Sequence, residues 1–157
     1  MTDKPLLTGR KHYKQGLFKP RNPSKYSGNP SQILFRSGWE RMFMIWCDMT
    51  RQVVKWGSEE LVIPYQSPVD GQMHRYFVDF VVYIQTSQGT QKYCVEIKPY
   101  SQTKPPKMPR KKSLIESYQK SMETFAVNQA KWKYADDFCK KHGMKFVVLT
   151  EKELLKK

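Results

Sequence analysis

Apolar positions along the chain fall into stretches of different period, and the period predicts the element. Over residues 38 to 50, Trp39, Met42, Phe43, Trp46 and Met49 recur at spacings of three and four. That predicts a helix with these side chains on its core face. Val53 to Trp56 and Leu61 to Tyr65 read as short strands parted by Gly57-Ser58. Arg75 to Ile84 is almost unbroken β-former and predicts one long strand. Gln91 to Lys98 predicts its partner, joined by the polar turn Thr86-Ser87-Gln88-Gly89. Ser113 to about His142 reads as a long helix stopped by Gly143, Lys145 to Leu149 as a last strand, and Glu151 to Lys157 as a short helix.

Two stretches have no such period. Residues 1 to 34 carry Pro5, Pro20, Pro23 and Pro30, and read as an irregular arm. Its Tyr13, Phe18 and Tyr26 lie among cations, positioned to dock on the body or to stack on bases. Residues 99 to 112 hold four prolines and five cations and read as a loop. The expected organisation is a basic arm, 1–34, and a mixed α/β domain, 35–157, whose sheet is flanked by helices.

Composition narrows this. A chain of 157 residues with 39% hydrophobic content can bury a core, which excludes wholesale disorder. No stretch approaches the roughly 20 apolar residues of a membrane span, and Met1 to Lys14 lacks an apolar signal region. Cys47, Cys94 and Cys139 show no C-x-x-C spacing, and His12, His74 and His142 are isolated. Free thiols and no zinc site are expected. The absence of a Walker-type glycine loop predicts no use of ATP.

Charge changes the picture more. The net charge is +14. Residues 1 to 36 carry eight cations, Lys25 among them, against Asp3 alone, and residues 98 to 112 carry six cations and no acid. These two segments hold nearly all of the excess. Lys104, Lys107, Arg110, Lys111 and Lys112 are therefore candidate contacts to a nucleic-acid backbone, with solvated tails as the alternative.

The candidate chemistry sits on the hairpin. If its turn is centred between Ser87 and Gln88, facing residue numbers sum to 175, and Asp79 faces Glu96 with Cβ atoms about 5 Å apart. Two like charges at that distance repel, and burial raises the cost. A cation between them removes it: Lys98 is one choice, and a hard divalent ion such as Mg²⁺ is the other. Glu96 read alone is better explained as a strand-end charge paired with Lys98. Glu40 has two readings as well. Ser37-Gly38-Trp39-Glu40 fits a capping box, as do Ser113 to Glu116 and Thr150 to Glu153. On the long helix, Gln129 interrupts an apolar stripe of Tyr118, Met122, Phe125 and Trp132; Asn128 borders the stripe and Lys131 is rotated away from it.

Glu40 on a first helix, Asp79 on a strand and Glu96-Ile97-Lys98 on the next resemble the PD-(D/E)XK nuclease superfamily. Val78 stands where that pattern often has proline. Ser24-Lys25-Tyr26, Phe35 to Glu40, Trp56-Gly57-Ser58-Glu59, Ile63-Pro64-Tyr65, Arg75 to Asp79, Val127-Asn128 and Lys131-Trp132 look like the head-completion nuclease family of T-even-type tailed phages. The wider set is similar to the endonuclease subunit of certain heteromeric transposases. The resemblance implies a restriction-endonuclease-like core and a Mg²⁺-dependent nuclease, with Mn²⁺ able to substitute. It would act on double-stranded phage DNA at head completion, before tail joining. It further implies metal ligation by Asp79, Glu96, the Ile97 carbonyl and Glu40, with Lys98 orienting water or stabilising charge on the phosphate. Asn128, Gln129 and Lys131 are weaker site candidates. Residence in the host cytoplasm, virion association and contact with head or neck proteins follow from the same likeness. The competing class is a non-catalytic DNA-binding neck protein on a degenerate nuclease fold.

Overall fold

The computed structural model describes residues 15–155. In chain order it comprises β1 (Gly16–Phe18), β2 (Ile33–Phe35), α1 (Gly38–Met49), β3 (Val53–Ser58), β4 (Val62–Gln66), β5 (Met73–Phe77), β6 (Phe80–Thr86), β7 (Gly89–Ile97), α2 (Ile115–Lys141), β8 (Met144–Leu149) and α3 (Glu151–Leu154). The central sheet runs β3-β6-β7-β8, and β1-β2 and β4-β5 are separate two-stranded ribbons.

The β6–β7 hairpin sets the frame. Its register, from Thr86↔Gly89 to Phe80↔Val95, is the one the turn chemistry predicts. Gly89 takes φ +109, which a side chain would resist, and the Thr86 hydroxyl ties the turn to Gly89 O and Gln88 N. β8 lies parallel to β7, so the chain must return along the sheet, and the 27 residues of α2 make that crossover. Gly143 at φ +67 ends the helix and starts β8.

Alternation along the strands divides the interior in two. Phe80 and Val82 of β6 and Val95 and Ile97 of β7 pack with Trp56, Phe43, Met44, Ile33 and Phe18. Cys94 lies on the other face with Ile63, Tyr65, Tyr76 and Val78, under Ala135 and Cys139 of α2. The sheet is thus covered by α1 and β1–β2 on one side and by α2 with the β4–β5 ribbon on the other.

Several expectations are corrected. Residues 16–35 are not an irregular arm: β1 pairs with β2, Phe18 and Ile33 enter the core, and Tyr26 bridges to Trp56. Residues 1–14 lie outside the described residues. The expected strand from Arg75 to Ile84 is two strands broken at Val78-Asp79, because Val78 N–H donates to Leu61 O while Asp79 O accepts from Glu59 N–H. The core face of α1 is Phe43, Met44, Cys47 and Asp48; Trp46 and Met49 face solvent. Ser113 caps nothing, since a 3-10 turn over Lys112–Leu114 leads into α2. Thr150 and Glu153 do form a capping box. No helix among the described residues is long and apolar enough to cross a membrane.

Candidate active site

The break at Val78-Asp79 is where the chain leaves the β4–β5 ribbon and enters the central sheet. The β6–β7 ladder ends at Phe80↔Val95, so the next facing pair outward is Asp79 and Glu96. Asp79 Oδ2 accepts the Ile97 N–H at 2.8 Å. Glu96 is only 6% exposed; its Oε1 accepts from the Tyr76 hydroxyl and its Oε2 lies 3.3 Å from Lys98 Nζ. Lys98 is fixed in turn by its own N–H, which donates to Leu149 O at 2.9 Å and carries the β7–β8 pairing one residue further. Two carboxylates and one ammonium therefore gather at the end of the β6–β7 ladder, beside Tyr76 of β5.

The electrostatics are those of a crowded acidic pair. Burial first, and the Glu96 charge second, push the Asp79 carboxyl up to about 8, against the pull of the Ile97 N–H and of Lys98. Burial, then the Glu96 charge, drives the Tyr76 hydroxyl far above its usual range, so it stays a protonated donor. The pair presents hard oxygen donors whose mutual repulsion a divalent cation relieves, and such an ion completes its shell with water or phosphate oxygens. Among the described residues, no three His, Cys, Asp or Glu side chains are grouped closely enough to hold a metal ion by themselves. The arrangement is a pair, not an all-protein cage.

Glu40 lies near enough for its charge to act on that pair, but its own hydrogen bonds go elsewhere. The Ser37 hydroxyl accepts its N–H at 3.1 Å, as an N-cap should, but Glu40 Oε2 reaches past Ser37 to accept the Arg36 N–H at 2.7 Å. Arg36 pairs with Glu59 at 2.5 Å. Burial raises the Glu40 carboxyl, opposed by the Arg36 N–H, and the charges of Glu59 and Glu96 raise it further. Glu40 and Ile97 both line a cavity of about 470 Å³, as do Arg36, Trp39 and Pro99.

The remaining candidates separate. Lys25 Nζ donates to Asp48 O at 3.0 Å and Thr50 O at 2.8 Å, so its ammonium is engaged at the end of α1. Lys104, Lys107, Arg110, Lys111 and Lys112 are exposed along the segment between β7 and α2. Gln129 is exposed as well; of the stripe around it only Trp132 packs on the core, and the buried positions of α2 are Asn128, Ala135 and Cys139. Lys131 is not turned away, since its Nζ lies 5.7 Å from the Tyr65 ring centre and 5.6 Å from that of Tyr76. Tyr76 itself escaped the sequence reading. In an unbroken strand it would sit on the face opposite Asp79, and only the break at residues 78 and 79 brings the two to one side.

The sequence family described as TnsA-like endonuclease N terminal matches residues 50–151, a span that holds Asp79, Glu96, Ile97 and Lys98 but not Glu40. The head completion nuclease of Enterobacteria phage T4 is 40% identical over 143 residues, covering 87% of this chain and 90% of that protein. No solved structure matches the chain.

Proposed function

The chain belongs to the TnsA-like endonuclease family, and from that premise we propose that it hydrolyses DNA phosphodiesters with a divalent metal held by Asp79 and Glu96. The observation that carries this reading is the convergence of Asp79, Glu96 and Lys98 at one strand edge. Mg²⁺ suits two carboxylates that leave most of the coordination shell to water and phosphate, and Mn²⁺ suits the same donors. When bound, such an ion neutralises charge on the phosphate and lowers the pKa of bound water.

The chain's own groups do the rest. Tyr76 and Ile97 hold the two carboxylates by hydrogen bonds, so neither must reorganise as charge develops. Lys98 is tethered through its backbone to β8 and aims its ammonium along Glu96. There it orients the attacking water or stabilises the growing negative charge on the phosphate. Glu40 and Ile97 line the same cavity, and Glu40 with the Ile97 carbonyl completes the proposed ligand set. The exposed cations from Lys104 to Lys112 hold the backbone with little sequence preference. Identity to a head completion nuclease supports action on phage DNA in the infected host, at head completion and before tail joining, alongside head or neck proteins.

The test is cleavage of plasmid and linear duplex by the wild type, Asp79→Ala and Glu96→Ala, each with Mg²⁺, Mn²⁺ or EDTA. Cleavage only by the wild type, and only with metal, is expected. Undiminished wild-type activity in EDTA, or a fully active Asp79→Ala, overturns the reading.

A further inference from the structure

A second polar hollow opens between the segment that follows β7 and the first half of α2. It measures about 400 Å³ and is lined by Gln102, Lys104, Lys120, Ser121, Thr124 and Asn128, among others. No carboxylate lines it. Two ammonium groups, three hydroxyls, with Ser101 the third, and two amides do, which is the donor set that surrounds a phosphodiester oxygen. Neither Lys104 nor Lys120 has a carboxylate partner among the described residues; Lys104 lies over the Tyr100 ring.

Asn128 gives the hollow its direction. It is 7% exposed, yet its carboxamide has no hydrogen-bond partner among the described residues, and it faces the hollow. Its polar atoms are not sealed from solvent, so an entering phosphate oxygen can take the place of water on them. The hollow is connected to the acidic pair along the chain at two points. Gln102 and Lys104 follow Lys98 by four and six residues. Asn128 stands three residues, close to one helical turn, before Lys131, whose ammonium lies on the ring of Tyr76, the partner of Glu96.

We propose that this hollow is a subsite for a backbone phosphate of the bound DNA strand, flanking the bond that is cut. It rests on the nuclease reading above and specifies where the substrate strand is held: across α2 at Lys120, Thr124 and Asn128. The outer cations of the loop attract DNA from solution, whereas this subsite fixes the register of the strand against Asp79 and Glu96. Ser121 and Thr124 lie on successive positions of the same helix face, so one phosphate can take a hydroxyl from each and charge from Lys120.

The experiment uses the full chain and a linear duplex carrying a single methylphosphonate, walked along the strand. Wild type, Lys120→Ala and Asn128→Leu are compared for duplex binding against salt and for steady-state cleavage. One position should weaken wild-type binding about tenfold and leave Lys120→Ala indifferent. That variant should lower the salt slope by about one phosphate contact and raise KM more than it lowers kcat. Lys120 is exposed, so its removal leaves the fold intact, and unchanged melting verifies that. Equal methylphosphonate profiles in wild type and Lys120→Ala overturn the subsite while normal cleavage leaves the nuclease reading standing. A wild type that neither binds nor cuts duplex with Mg²⁺ or Mn²⁺ overturns both.

Discussion

Asp79 is tied by one carboxylate oxygen to the backbone N–H of Ile97, 2.8 Å away, while the residue before Ile97, Glu96, is the one that faces Asp79 across the ladder. The carboxylate is therefore fixed over its neighbour strand and cannot swing away from the charge it repels. Its folded-state pKa is raised to about 8, well above the unfolded value near 3.9. A carboxyl shifted that way stabilises the fold fully at low pH and loses that contribution as pH climbs from about 4 through 8. Without metal, the melting temperature should fall over that window. Asp79→Asn keeps an acceptor for Ile97, removes the charge and should melt several degrees above the wild type at pH 8.5, while failing to cut DNA. Mg²⁺ should raise the melting point of the wild type alone. An Asp79→Asn protein less stable than the wild type in metal-free buffer at pH 8.5 contradicts this account.

Tyr76 is the group that holds Glu96 from behind. Tyr76→Phe keeps the ring in its buried place and removes only the donor to Oε1. A buried carboxylate then loses one of two partners, at a cost of about 1–3 kcal/mol. Partners of metal-binding side chains commonly change affinity or activity ten- to a hundred-fold. Cleavage titrated against Mg²⁺ should show a higher half-saturating concentration for the variant. A melting loss with an unchanged titration would make Tyr76 purely a packing residue.

The hairpin that carries this chemistry was legible because a polar turn with Gly89 pins its register, and register decides which carboxylates meet. The break at Val78-Asp79 was not. Every residue from Tyr76 to Ile84 except Asp79 favours a strand, and what divides it is a pair of backbone hydrogen bonds to Leu61 and Glu59, distant in sequence. The helices failed in a different way. α1 is apolar on two faces, so periodicity marked Trp46 and Met49 as core while Met44 and Cys47 fill it. Prolines in residues 20 to 30 read as an irregular arm, yet here they shape a turn that Lys25 and Asn22 fasten to Asp48.

That fastening separates Lys25 from the cations of the loop. Lys25→Met removes two hydrogen bonds from an ammonium to the last carbonyls of α1, where positive charge also suits the helix dipole. A loss of about 1 kcal/mol, or a few degrees in melting, is expected with an unaltered salt slope of DNA binding. Lys107→Ala or Arg110→Ala should behave in reverse, melting normally and lowering the slope by about one each. A reduced slope in Lys25→Met would return Lys25 to the DNA-binding surface.

Glu40 is the residue for which the fold supplies a second employment, and a single conservative change separates the two. Its Oε2 accepts the Arg36 N–H and its own N–H is capped by Ser37, which is enough to explain a glutamate there. It also shares a cavity with Ile97 and feels the charge of Glu96. Glu40→Gln retains an amide oxygen for Arg36, so the start of α1 should survive and melting should change by less than about 0.5 kcal/mol. What the substitution removes is a negative charge beside the acidic pair. A proposed metal ligand should lose cleavage at least tenfold under that change, with part of the loss recovered at higher Mg²⁺ or in Mn²⁺. A residue that only caps the helix should cleave as the wild type does at every metal concentration. Melting curves and metal titrations on the same preparation read both quantities, and full activity in Glu40→Gln removes Glu40 from the ligand set while leaving Asp79 and Glu96 in it.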